Sequence, residues 1–180
     1  MQHRIHRTQE ILLPAGGKFI AFTLLVALTL NLLPWHGLLL LIRPDFVALT
    51  LLYWCINQPR KVGLGAAWFF GLLMDVADGS LFGQHALAYT LITYGALFLH
   101  RRVLMFPLWP QAVHIFPLLV LLQLLLLLIR LFVGVPFIEW GYFLPSLTGA
   151  LLWPPLSLIL QLPQRRTPKP ENKTPAQAVR

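Results

Sequence analysis

Six apolar segments run through this chain, and each is cut from the next by charges or by proline and glycine. They cover residues 19–33, 38–56, 62–77, 81–99, 111–133 and 143–162. The breaks between them are as informative as the segments. Pro34-Trp35-His36-Gly37 ends the first, Gln58-Pro59-Arg60-Lys61 closes the second, and Asp78-Gly79-Ser80 follows the third. His100-Arg101-Arg102 stops the fourth, and Pro107 and Pro110 precede the fifth. A helix needs about 20 apolar residues to cross a bilayer, so the pattern predicts a six-helix transmembrane bundle of the all-α class. Composition agrees: 57% of the residues are hydrophobic and 11% charged, with a mean hydropathy of +0.70. A soluble domain carries roughly 25% charged residues. A water-soluble globular domain, a disordered chain and a nucleic-acid-binding arm are therefore excluded, despite a pI near 10.4.

In a membrane protein, Lys and Arg report orientation, because they concentrate in short cytoplasmic loops. With six crossings, twelve of the fourteen basic residues fall on one side. The two exceptions are Arg43 and Arg130, the latter read as snorkelling outward from the end of the fifth helix. An odd number of crossings scatters these charges, so both termini are expected in the cytoplasm. The domain plan is a cytoplasmic N-terminus over 1–18, a transmembrane core over 19–162, and a disordered basic cytoplasmic tail over 163–180. Arg4, Arg7 and Lys18 precede the first segment as in a signal peptide, but no small-residue cleavage site follows, so that segment is read as a retained helix. The tail's five cations anchor the topology and attract anionic lipid at about 1 kcal/mol each near the surface. Cys55 is the only cysteine, which excludes an internal disulfide and a cysteine metal site.

Arg43-Pro44-Asp45 interrupts the second segment. As one helix, that segment buries two charges and a proline. A break is the cheaper arrangement, with Pro44 in the first position of a new helix and Asp45 in its first turn, near the positive end of the helix dipole. A helix over 44–58 is about 22 Å long by the rise per residue, so residues 37–42 are expected to enter the membrane as non-spanning backbone. Such backbone is tolerated where protein covers it or where it lines a cavity, and broken segments mark binding sites in transporters. The alternative is an Arg43–Asp45 pair that only orients the start of the helix.

Asp75 and Asp78 are three apart and share a helix face, with Asp75 about 4.5 Å deeper. Carboxylates at membrane depth are functional candidates, for proton relay, metal ligation or polar pairing; since Gly79-Ser80 follows directly, the alternative is that both acids sit in the headgroup zone and cap a turn. His85, Arg43 or a partner subunit are the donors available to Asp75. The string Asp75-x-x-Asp78-Gly79 matches the start of the metal motif of CDP-alcohol phosphatidyltransferases. Phe82-Gly83 stand where that motif needs Ala-Arg, and the only later acids are Glu139 and Glu171, so the metal set is incomplete. Ser80, Ser146 and Ser157 lack a nucleophile context, and no H-E-x-x-H or phosphate-cradling glycine loop exists. No enzyme, metal or cofactor is expected. Gly63, Gly65 and Gly71 suit close helix packing, Pro154-Pro155 a kink in the sixth helix, and Trp35, Trp109 and Trp140 the membrane interfaces.

Taken in order, these strings resemble a known family. Leu41-Ile42-Arg43-Pro44-Asp45-Phe46, then Leu51-Leu52-Tyr53-Trp54 and a Pro-Arg turn, are similar to MreD, the rod shape-determining membrane proteins. So are Gly71-x-x-x-Asp75-x-x-x-Gly79-Ser80-x-x-Gly83, leading into an Ala-Leu-x-Tyr helix, and Gly149-Ala150-Leu151-Leu152-Trp153-Pro154. The resemblance covers about 19–162 and leaves out the tail from 167. It implies a multi-pass protein of the bacterial inner membrane, acting in the elongasome beside MreC, the MreB filaments, and RodA with its penicillin-binding transpeptidase. It also implies a fold similar to the substrate-binding subunits of energy-coupling-factor vitamin transporters, which agrees with the broken second segment. The leading expectation is a non-enzymatic scaffold for lateral peptidoglycan synthesis. Its rival is a small-molecule-binding subunit of a membrane transporter. Arg43, Pro44, Asp45, Asp75, Asp78, Gly79, Gly83 and His85 are the partner or pocket candidates.

Overall fold

The computed structural model describes residues 15–79, 81–134 and 140–164, which are all helix, turn and connection, with no strand among them. The helices are α1 (Gly17–Leu32), α2 (Leu38–Leu41), α3 (Phe46–Asn57), α4 (Leu64–Asp78), α5 (Gln84–Val103), α6 (Leu108–Phe132) and α7 (Leu144–Gln161). The broken second segment is the short α2 followed by α3. Three stretches are long and apolar enough to cross a membrane by length and composition: Leu38–Asn57, Leu108–Phe132 and Gly141–Gln164. α1 is apolar but shorter, α4 has 15 residues and carries two acids, and α5 ends in a cationic turn.

α3 sits at the centre, with Val47 through Ile56 all buried. Its ten-residue buried run has no polar face, so it must be wrapped by other helices. α1 and α5 pack directly on it, α4 packs on α5, and the α6–α7 pair closes the far side against α5. Gly71 sets the α4–α5 distance: a Cβ there would lie 2.4 Å from Ala86 Cα. Gly63 and Gly65 face open space, so of the three glycines of this helix only Gly71 marks a close approach. Outward-facing groups such as Phe98, Val113 and Phe132 are more than 70% exposed. On a chain this apolar, such a surface faces hydrocarbon, and the protein is a helical membrane protein.

Several boundaries differ from the sequence reading. The helix after the break starts at Phe46, two residues later than Pro44, because the Asp45 carboxylate acts as its N-cap and accepts the Ala48 N–H at 2.9 Å. α6 starts at Leu108, three residues before the expected 111, since Pro110 falls in the first turn, where a missing N–H leaves no hydrogen bond unmade. α5 runs on through His100, Arg101 and Arg102, which suit the negative end of its dipole. α7 continues through Pro154 and Pro155. At the other boundaries, Gly17 and Lys18 are helical, and residues 162–164 form a 3₁₀ turn whose buried Gln164 donates to Tyr53 Oη at 3.3 Å. This 3₁₀ turn therefore covers the first two residues of the expected tail, 163 and 164. The basic residues of 1–14 and 165–180 lie outside the described residues, as does Ser80.

Candidate functional site

At the end of the bundle where α1 stops and α3 starts, polar side chains turn inward. Asn31, buried in the last turn of α1, donates through Nδ2 to Asp45 Oδ1 at 2.9 Å and accepts the Phe46 N–H at 3.0 Å. Asp45 Oδ2 accepts from Tyr89 Oη of α5 at 2.6 Å. One carboxylate thus caps α3 and ties three helices together. Arg43 does not pair with Asp45. Its Nη1 donates to the Asn31 carbonyl at 2.8 Å, satisfying an acceptor that the end of α1 leaves open.

A second carboxylate joins α4 to α5. Gly83 is the N-cap of α5, with φ +97, a left-handed conformation that glycine adopts without strain, and it has no side chain to cap with. Asp75 supplies the cap from the neighbouring helix. Its Oδ2 accepts the Gly83 N–H at 2.8 Å and the Ala86 N–H at 3.4 Å, while Oδ1 accepts the His85 N–H at 2.8 Å. His85 Nδ1 lies 2.9 Å from the same Oδ1, which requires the Nδ1–H form because an ionised carboxylate only accepts. The dipole of α5 adds to the attraction. Asp78, by contrast, is one-third exposed, and its Oδ2 stands 3.9 Å from His85 Nε2. Gly79 ends α4 with φ +59.

A cavity of about 490 Å³ opens beside these caps. Of the residues singled out in the sequence, Arg43, Pro44, Asp45, Asp78 and His85 line it; Asp75, Gly79 and Gly83 build the turn behind it. The cavity also takes in residues that the sequence reading did not select: Asn31, Gln123, Arg130 and Tyr142. The Arg130 guanidinium lies over the Tyr142 ring, 5.9 Å from the centroid. Gln123 Nε2 donates to the Tyr142 carbonyl at 2.8 Å, and its Oε1 accepts from Ser146. The signal for these residues was present as lone amides and one cation inside apolar runs, the pattern that marks polar groups facing a bundle interior. Both basic residues that depart from the charge asymmetry end up in this one cavity.

Of the interface tryptophans, Trp109 is 68% exposed, whereas Trp35 is half-buried, stacks on Phe46 and donates to the Leu30 carbonyl. The side chain of Trp140 lies outside the described residues. No group of three or more His, Cys, Asp or Glu side chains able to hold a metal occurs among the described residues.

A family model described as rod shape-determining protein MreD matches residues 16–162. A protein of Haemophilus influenzae named rod shape-determining protein MreD is 29% identical over 141 residues, covering 78% of this chain and 87% of that protein. No solved structure matches the chain.

Proposed function

Since the chain belongs to the MreD family of rod shape-determining proteins, we propose that it is a non-enzymatic scaffold of the cell-elongation machinery. It sits in the bacterial inner membrane with six crossings and both termini in the cytoplasm, and supports lateral peptidoglycan synthesis through helix–helix contacts. MreC, RodA with its penicillin-binding transpeptidase, and the MreB filaments are its proposed partners. The observation that carries this reading is how the two carboxylates Asp45 and Asp75 are used. Each caps the start of one helix and binds a side chain of another: Asp45 caps α3 and accepts from Asn31 and Tyr89, and Asp75 caps α5 from α4 and faces His85. The chemistry at the site is structural, which suits a rigid body presenting apolar faces to other membrane helices. Depletion of the protein tests this: rod-shaped cells are expected to round up. Cells that stay rod-shaped but lose uptake of a micronutrient contradict it.

The rival reading is a small-molecule-binding subunit of a membrane transporter, and the cavity of about 490 Å³ is the observation in its favour. It requires an ATPase module among the co-purifying proteins.

A further inference from the structure

Among the described residues, the two guanidiniums of the cavity have more N–H donors than the hydrogen bonds they make. Its two carboxylates are engaged: Asp45 accepts from Asn31, Ala48 and Tyr89, and Asp78 faces His85 Nε2 at 3.9 Å. Arg43 gives one N–H to the Asn31 carbonyl, and Arg130 rests on the Tyr142 ring. The ion pairs among the described residues are both made by His85, and no carboxylate there lies within 4.0 Å of either guanidinium. Asp45 and Asp78 offset the two charges across the cavity but make no direct contact with either guanidinium, and the planar fork of arginine is matched to phosphate oxygens. The rim is apolar. Leu40 and Leu41 line it while 51% and 45% exposed, and Leu122 and Leu126 form its wall from α6. The volume falls within the roughly 300–1,000 Å³ usual for ligand sites.

We propose that this cavity binds a phosphate-type oxyanion between Arg43 and Arg130, presented by a lipid headgroup whose acyl chains lie along the leucines of α2. Free phosphate offers the same oxyanion chemistry, and the test separates the two sources. The site is independent of the shape-determining role: failure to bind a lipid leaves the partner set unchanged, and failure to recover partners leaves lipid binding unchanged.

The full chain, purified in detergent, is titrated with phosphatidylglycerol, with diacylglycerol as a phosphate-free control, and with inorganic phosphate. Bound lipid is read by native mass spectrometry and phosphate binding by thermal shift. Wild type is expected to retain one phosphatidylglycerol and no diacylglycerol. Arg130→Gln is expected to weaken retention about tenfold or more, the loss typical of a charged hydrogen bond, while Arg101→Gln, a cation of the α5 terminus, changes nothing. Arg130→Lys keeps the charge and tests the fork without risk to the fold, with an intermediate loss expected. Stabilisation by inorganic phosphate that depends on Arg130, without lipid retention, supports the oxyanion site and assigns it a soluble ligand. Equal retention of diacylglycerol, or binding unchanged in both Arg130 variants, overturns the proposal.

Discussion

Replacing Asp75 by Asn changes one oxygen into an amide and removes one charge, with almost no change in volume. The structure makes this small change severe. The Asp75 side chain is fully buried, and its two oxygens accept backbone N–H groups from Gly83, His85 and Ala86 and face His85 Nδ1. Whichever way the Asn amide turns, its NH₂ points at a backbone donor of the α5 N-terminus. Leaving buried donors unpaired costs about 1–3 kcal/mol per group, and loss of the charge opposite the helix dipole adds roughly 0.3–1 kcal/mol. The expected loss is thus about 2–4 kcal/mol, or roughly 5–15 °C in melting temperature for a chain of this size. Asp78→Asn is the internal control. Its carboxylate is one-third exposed and 3.9 Å from its partner, so water replaces the contact, and the change should stay within about 0.5 kcal/mol. Thermal unfolding of both variants in the same detergent, followed by tryptophan fluorescence, decides the matter. If Asp75→Asn melts with wild type while Asp78→Asn melts early, the cross-helix cap is not what holds α4 to α5.

Gly71→Ala should be the most damaging methyl addition, because the new Cβ meets Ala86 backbone at 2.4 Å and backbone cannot step aside; about 1–3 kcal/mol is expected in the same melt, against little effect for Gly65→Ala, which faces open space. Tyr89→Phe removes the donor to Asp45 Oδ2 and should destabilise by about 1.5–3 kcal/mol, the range for a hydrogen bond to a charged group, measurable by melting or by faster proteolysis in detergent. Reporter fusions after Lys61, Arg102 and Ile138 should read cytoplasmic, cytoplasmic and periplasmic; a periplasmic reading at Lys61 defeats the six-crossing topology.

The helical class and the positions of the breaks were legible because they rest on local quantities: apolar runs, prolines, glycines and charges. Helix boundaries were less so. The choice between Pro44 and Phe46 as the start of α3 turned on whether Asp45 caps or lies within the first turn, and both readings fit the dipole. The shared helix face of Asp75 and Asp78 could be read from a spacing of three, but their different surroundings could not. What Asp75 caps is the first turn of another helix, brought close by Gly71, and that approach is a tertiary fact. Arg43 illustrates the same limit. Its neighbour two residues along is an acid, yet its partner is the Asn31 carbonyl, twelve residues away on α1. The α6 side of the cavity was the least legible part of the site, since Gln123 and Arg130 stand singly in a long apolar run and the α6–α7 packing decides what they meet.

The central claim, a membrane scaffold of the shape-determining machinery, is tested most directly by identifying what the protein holds in the membrane. Affinity purification of the tagged full chain in mild detergent, with quantitative mass spectrometry against an untagged control, is the measurement. The account predicts enrichment of MreC and of RodA with its transpeptidase, undiminished by Asp78→Asn and lost with Asp75→Asn. Enrichment instead of an energy-coupling ATPase module, with MreC and RodA at control level, contradicts it.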